Sequence, residues 1–255
     1  MKTQMIDFLK NLKKLGHCFL DVLFPPQEQC PFCGCFNQQC SVCQDCHSYL
    51  LQSLTISHCS CCGRFSREDL IIGELCRDCR RKVWFFTKAR AVAPYGGIAR
   101  SVVQNLKYKN QRQLVAPMAR YMALLARREP VYQRVSAIVP VPMWKTQRKE
   151  RGFNQAELLA YELSDQLGLP VLNCVYKSRE TLPQAGLNRY ERLENLQNVF
   201  VLKESFRVKN KGILIVDDVI TTASTLEAVA TVAAKGGAYP ILGLAFAAGK
   251  TIFRG

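Results

Sequence analysis

The 255-residue chain predicts an α/β fold, a parallel sheet flanked by helices, with a small cysteine-rich module ahead of it. Three observations carry this. Apolar runs of strand length alternate with helical patterns beyond residue 88, the signature of a parallel sheet. Twelve of the 13 cysteines fall between residues 18 and 79, eight of them in CxxC pairs. The apolar run 212–216 ends in Asp217 and Asp218, followed by hydroxyl residues, where a parallel strand would present a ligand loop.

Composition narrows the class. With 48% hydrophobic and 22% charged residues the chain is close to globular averages. No apolar run reaches the roughly 20 residues of a spanning helix. Near the N-terminus Asp21 interrupts the apolar stretch and no small-residue cleavage site follows, which argues against a secretory signal. The expectation is a cytoplasmic protein without a transmembrane segment. In a reducing compartment clustered cysteines point to metal rather than disulfides. Net charge is +15, distributed unevenly: residues 1–88 carry 11 basic and 8 acidic side chains, residues 89–255 carry 24 and 12. The expected organisation is an N-terminal helix (1–28), a double zinc-ribbon-like module (29–88) and a ligand-binding domain (89–255).

The first element rests on Phe8, Leu9, Leu12, Leu15, Phe19 and Leu23, which recur at helical spacing. Next come two successive CxxC…CxxC units. A CxxC turn aims two thiolates at one ion, and two turns complete a tetrahedral shell. The simplest grouping is sequential: Cys30, Cys33, Cys43 and Cys46, then Cys59, Cys62, Cys76 and Cys79, each holding a structural Zn²⁺. A crossed arrangement stays open, and Cys35, Cys40 and Cys61 could compete as ligands. Gly34 and Gly63 each follow a turn, where positive φ is often needed. Such sites supply folding energy to a segment too small for its own core.

In the larger part, 136–141, 171–176, 212–216 and 239–246 read as strands, and 102–128, 154–167 and 223–235 as helices. After the first of these strands comes PVPMWKTQRKERGFNQ (140–155), a basic loop in which Lys145, Arg148, Lys149 and Arg151 could clamp a pyrophosphate. A second cationic loop, 177–198, is broken by Pro183 and Gly186 and carries Arg179, Arg189 and Arg192. The most informative stretch is GILIVDDVITTASTL (212–226). Thr221, Thr222, Ser224 and Thr225 sit where a helix begins, and its N–H groups and dipole favour a phosphate. Two carboxylates beside a phosphate cradle suit a ligand with hydroxyls next to a phosphate, such as a ribose phosphate.

This stretch resembles the phosphoribosyl-pyrophosphate (PRPP) signature of type I phosphoribosyltransferases. The resemblance implies that Asp217 and Asp218 hold the ribose hydroxyls and that Thr221, Thr222, Ala223, Ser224 and Thr225 wrap the 5′-phosphate. Ala223 stands where that motif often has glycine. It further implies Mg²⁺ bound with PRPP, and a lid over 177–198 that keeps water from an oxocarbenium-like transition state. The candidate catalytic residues are Arg151, Arg189, Asp217 and Asp218. Lys145, Arg148, Asn154, Gln155 and Arg192 join the phosphate loop as candidate substrate contacts.

Together with the paired CxxC units, the sequences RGFNQ (151–155), PQAGLNRYERLENLQNVF (183–200) and LKYK (106–109) resemble the ComF family from about Cys30 onward. That likeness implies a role in natural competence, with PRPP, single-stranded DNA and other DNA-processing proteins as partners. Basic residues interleave with aromatic ones at Lys107-Tyr108-Lys109 and Trp144-Lys145, a pattern compatible with single strands. Competing readings are a non-catalytic PRPP sensor that binds nucleic acid, and a phosphoribosyltransferase acting on a nucleobase or amine unrelated to DNA uptake. The acceptor is not legible in the motifs.

Overall fold

The computed structural model describes residues 28–38, 41–66, 71–72, 74–180 and 198–250. The expected N-terminal helix, Cys18, Cys40, Arg189, Arg192 and most of the 177–198 loop lie outside these residues. The chain divides after Gln44 into two units.

In the smaller unit a tight turn runs through Cys30–Cys35. Gly34 N–H donates to the Cys30 carbonyl (2.8 Å) and Cys30 N–H to the Cys35 carbonyl (2.7 Å). Gly34 has φ +77°, as the turn requires.

The larger unit opens with helix α1 (Gln44–Ser53), most of which it contains, and the ribbon β1 (Ile71–Ile72) and β2 (Leu75–Cys76), which pair antiparallel. Helix α2 (Arg77–Arg81) leads to β3 (Lys88–Pro94). Then come α3 (Gly97–Tyr108), α4 (Val115–Arg128), β4 (Ala137–Pro140), α5 (Lys145–Arg151), α6 (Gln155–Leu167), β5 (Val175–Lys177), β6 (Phe200–Leu202), β7 (Ile213–Ile220), α7 (Ser224–Lys235) and β8 (Ile241–Ala248). The main sheet is parallel, in the order β3-β8-β7-β4. Its central strands are near-continuous apolar runs because helices cover both faces. All eight residues of β8 are buried, and on Gly243 a Cβ would come within 2.5 Å of the Leu226 side chain of α7.

Several expected elements shift. The helix expected over 102–128 is two helices, because Lys109 caps the first and Asn110 turns left-handed (φ +52°). The basic loop after β4 contains α5, a helix with no buried residue, ended by Gly152 at φ +79°. The strand expected over 171–176 is not in the main sheet: β5 pairs antiparallel with β6, and only Val171 bridges to Ile138. The sheet's fourth strand is β3 instead.

Cys59, Cys62, Cys76 and Cys79 share one buried cluster with Val139, Ile213, Ile215, Leu226 and Val229. The second cysteine turn is thus part of the core of the sheet domain.

Candidate functional site

Among the described residues two groups of four sulphurs are assembled. In each, the ligand atoms all lie within 4.8 Å of one another. A Zn²⁺ with Zn–S bonds of about 2.3 Å needs sulphurs spaced about 3.8 Å apart. Cys62 and Cys76 are at 3.8 Å and Cys33 and Cys43 at 3.6 Å. The donor chemistry and spacing therefore fit a tetrahedral thiolate ion such as zinc.

The second group is Cys59, Cys62, Cys76 and Cys79, the expected set, and all four are buried. Its turn repeats the first: Gly63 N–H donates to the Cys59 carbonyl (2.9 Å) and Cys59 N–H to the Arg64 carbonyl (3.0 Å). Cys76 N–H donates to Cys59 Sγ (3.3 Å). Arg64 donates to the Cys62 and Cys76 sulphurs, both at 3.4 Å, and pairs with Asp78 at 2.5 Å. Burial opposes the charge on Arg64, but the sulphurs and Asp78 outweigh it and raise its pKa. Crowding drives the thiols apart in acidity. A hydrogen bond from Cys62 lowers Cys59 to about 6, while Cys59 pushes Cys62 and Cys79 up. A bound cation would relieve this by replacing the shared protons.

The first group is Cys30, Cys33, Cys35 and Cys43. Cys35 joins three members of the expected set, and Cys46 is buried on α1. The turn brings Cys35 Sγ to 3.3 Å from Cys33 Sγ, and Cys43 N–H donates to Cys30 Sγ at 3.4 Å. Cys33 and Cys35 are exposed.

The acidic-pair loop lies at the carboxyl end of the main sheet. Strand β7 continues past both aspartates to Ile220. Pro140 of β4 pairs with Val216, and Val141 N–H donates to the Val216 carbonyl at 2.9 Å. Being parallel neighbours, β4 and β7 release the 141–155 segment and the 221–223 turn on the same side of the sheet.

Asp218 is 2% exposed. Gln155 Nε2 donates to its Oδ1 at 3.1 Å. Lys107 Nζ stands 2.6 Å from its Oδ2, an ion pair rather than an aligned hydrogen bond. Burial alone would raise the Asp218 pKa; Lys107 and Gln155 outweigh it and hold the carboxyl below its ordinary range. Asp217 is half-buried, and its Oδ1 accepts from Asp218 N–H at 2.8 Å. Burial, then the charge on Asp218, push Asp217 well up.

After the strand, Ala223 takes φ +62° as the N-cap of α7, the left-handed geometry expected where the motif often has glycine. Thr222 Oγ1 and Ser224 Oγ are 2.8 Å apart. Thr221 is exposed, Thr222 and Thr225 are half-buried, and Ala223 and Ser224 are buried.

Asn154 and Gln155, expected substrate contacts, spend their polar atoms on the protein. Asn154 caps α6 by accepting from Ala156 N–H (3.0 Å) and donates to the Val141 carbonyl (3.0 Å). Gln155 Oε1 accepts from Arg151 Nη1 at 2.7 Å. Arg151 lies over the Tyr108 ring and Arg112 over Phe153. Lys145 and Arg148 are exposed on α5, with Arg148 paired to Glu157 at 2.9 Å. Lys107 was not among the expected site residues. Its signal was its place four residues beyond buried Val103, a lysine on the apolar stripe of α3.

A family model described as "Phosphoribosyl transferase domain" matches residues 153–250. The chain is similar to competence protein F of Haemophilus influenzae, at 32% identity over 209 residues, covering 79% of this chain and 86% of that protein. It is 31% identical over 208 residues to the DNA utilization protein YhgH of Salmonella typhimurium, covering 72% and 88%. It is 26% identical over 194 residues to competence protein ComFC of Bacillus subtilis, covering 72% and 74%. Among the described residues no helix is long and apolar enough to cross a membrane.

Proposed function

Because the chain belongs to the competence protein F family and carries a phosphoribosyl transferase domain, we propose that it binds PRPP with Mg²⁺ at the 217–225 loop and acts in the uptake or use of single-stranded DNA. The observation that supports this reading is the pairing of β4 with β7, which sets a cationic segment beside the acidic pair and the α7 N-terminus. A phosphate would meet the N–H groups at the start of α7, and ribose hydroxyls would meet the acidic pair. Arg151, held by Gln155, would face the pyrophosphate end. Mg²⁺, when bound, neutralises charge on the diphosphate and keeps most of its other ligands as substrate oxygens and water.

The reaction class is pentosyl transfer, in which a nitrogen nucleophile replaces pyrophosphate at ribose C1. The protein's part is to position and to stabilise charge. A second reading, PRPP sensing by a nucleic-acid-binding protein, is favoured by Asp218, Asn154 and Gln155, whose contacts go to the protein itself. Both cysteine groups are read as structural Zn²⁺ sites, each of which would add folding energy.

Calorimetric titration of zinc-replete protein with PRPP and Mg²⁺ tests the binding. Saturable binding that Asp217→Asn weakens supports it; no heat at millimolar PRPP overturns it. Pyrophosphate release with nucleobases, amines or oligonucleotides then separates turnover from sensing.

A further inference from the structure

We infer that Lys107, from the LKYK stretch, is a positioning residue of the ligand loop: it fixes Asp218 as the charged, inward member of the acidic pair and leaves Asp217 to meet the ligand's hydroxyls. The inference rests on the PRPP reading for the identity of the ligand. The two carboxylates are not equivalent. Asp218 is buried with Gln155 at one oxygen and Lys107 at the other, while Asp217 is half-buried and accepts from its neighbour's N–H.

Lys107 arrives from α3, which follows the edge strand β3. The groups that face Asp218 are Lys107 from α3, Gln155 from α6 with Arg151 of α5 behind it, and Asp217 on its own strand. A second contact, Arg151 over the Tyr108 ring, ties the same end of α3 to the 140–155 segment.

Two bare carboxylates beside a phosphate cradle would repel the ligand's phosphates. One lysine against the pair removes a negative charge where that repulsion is worst. Asp217, pushed well up by burial and by the charge on Asp218, is left as the member of the pair that faces the ligand's hydroxyls. Without Lys107, a buried Asp218 would take up a proton and Gln155 would lose its anionic partner.

The test uses zinc-replete full-length protein as wild type, Lys107→Met, Lys107→Arg, Asp218→Asn and the Lys107→Met/Asp218→Asn double variant. Titration with PRPP and Mg²⁺ is expected to show a loss of roughly tenfold or more for Lys107→Met, the scale of one charge-assisted contact. Lys107→Arg should stay within about threefold of wild type, well under one tenfold step. In the Asp218→Asn background Lys107→Met should cost nothing further. A folded Lys107→Met that binds as wild type overturns the inference, as does an equal loss in both backgrounds. Carboxyl NMR titration of Asp218 without ligand supplies an independent readout. Asp218 should stay ionised to lower pH in wild type than in Lys107→Met, and coincident curves overturn the inference even where PRPP binds. If wild type takes no PRPP, the PRPP reading fails, and the NMR titration still decides whether Lys107 governs Asp218.

Discussion

Cys35 and Arg64 hold the same place in two copies of one turn. Each has a carbonyl that accepts from the first cysteine's N–H, at 2.7 Å for Cys35 and 3.0 Å for Arg64. Each directly follows the positive-φ glycine. In the second turn that position presents a guanidinium to two sulphurs, offsetting the excess negative charge of four thiolates. In the first it presents another sulphur, that of Cys35, to the group.

Metal content should follow this difference. The zinc-loaded protein is expected to release two ions in two phases to a chromogenic chelator. The faster phase comes from the first group, whose Cys33 and Cys35 are exposed. Cys35→Ser should abolish the fast phase and leave the slow one. A fast phase kept in Cys35→Ser would overturn that assignment.

The acidic pair and its hydroxyl loop were legible because they are contiguous, with apolar run, charge and helix start all within residues 212–226. What was not legible depends on distant residues. Lys107 meets Asp218 from a distant part of the chain; its place on the apolar stripe of α3 marks it as buried but does not announce its partner. The edge strand β3 reads KARAVAP, short of β-branched residues, with a lysine and an arginine that tertiary pairs with Glu129 make tolerable. Helix α5, KTQRKER, has no apolar stripe to betray it. Cys35 falls outside the CxxC spacing, which is blind to the extra sulphur a positive-φ turn aims inward.

Acid should weaken the protein partly through Glu129. Burial works against its charge, but Lys88, at 2.6 Å, and Arg90 outweigh this and lower its pKa below the ordinary 4.5. A lowered carboxyl pKa gives stability that is complete above the unfolded value and lost as pH falls through the folded one. Glu129→Gln should therefore cost about 3 kcal/mol near neutral pH, since it leaves buried Arg90 without its carboxylate. The deficit should shrink as pH falls below 4.5. Urea unfolding of both proteins across that range checks it, and a constant deficit would assign the loss to packing.

Ala223 offers a probe of the phosphate loop. Its φ of +62° costs an L-residue roughly 1–2 kcal/mol. Glycine would relieve that strain while adding about 0.5–1 kcal/mol of unfolded-state entropy. Ala223→Gly is thus expected to change stability by less than about 1 kcal/mol and to leave PRPP affinity intact. Ala223→Val should lower both, because a β-branched side chain resists positive φ and the site is buried. Thermal unfolding and PRPP titration of the two variants measure the contrast.

Gly34 and Gly63 perform the same turn in different surroundings, and alanine should separate the two effects. Both have positive φ, +77° and +68°, so each substitution carries a left-handed penalty of roughly 1–2 kcal/mol. Around Gly34 a Cβ would meet nothing within 4 Å. On Gly63 it would run into the Ala89 carbonyl, at the start of β3. That carbonyl is backbone of the main sheet and cannot swing aside as a side chain would. Moreover Ala89 N–H donates to the Cys61 carbonyl at 2.7 Å, so relief would also cost a hydrogen bond between turn and strand. Gly34→Ala is therefore expected to cost no more than about 2 kcal/mol and to act on the first group alone. Gly63→Ala should cost at least about 2 kcal/mol beyond that, as overpacked core sites do. It should also speed metal loss from the second group. Urea unfolding with zinc release measured in parallel distinguishes them; equal costs would mean that the second turn does not lean on β3.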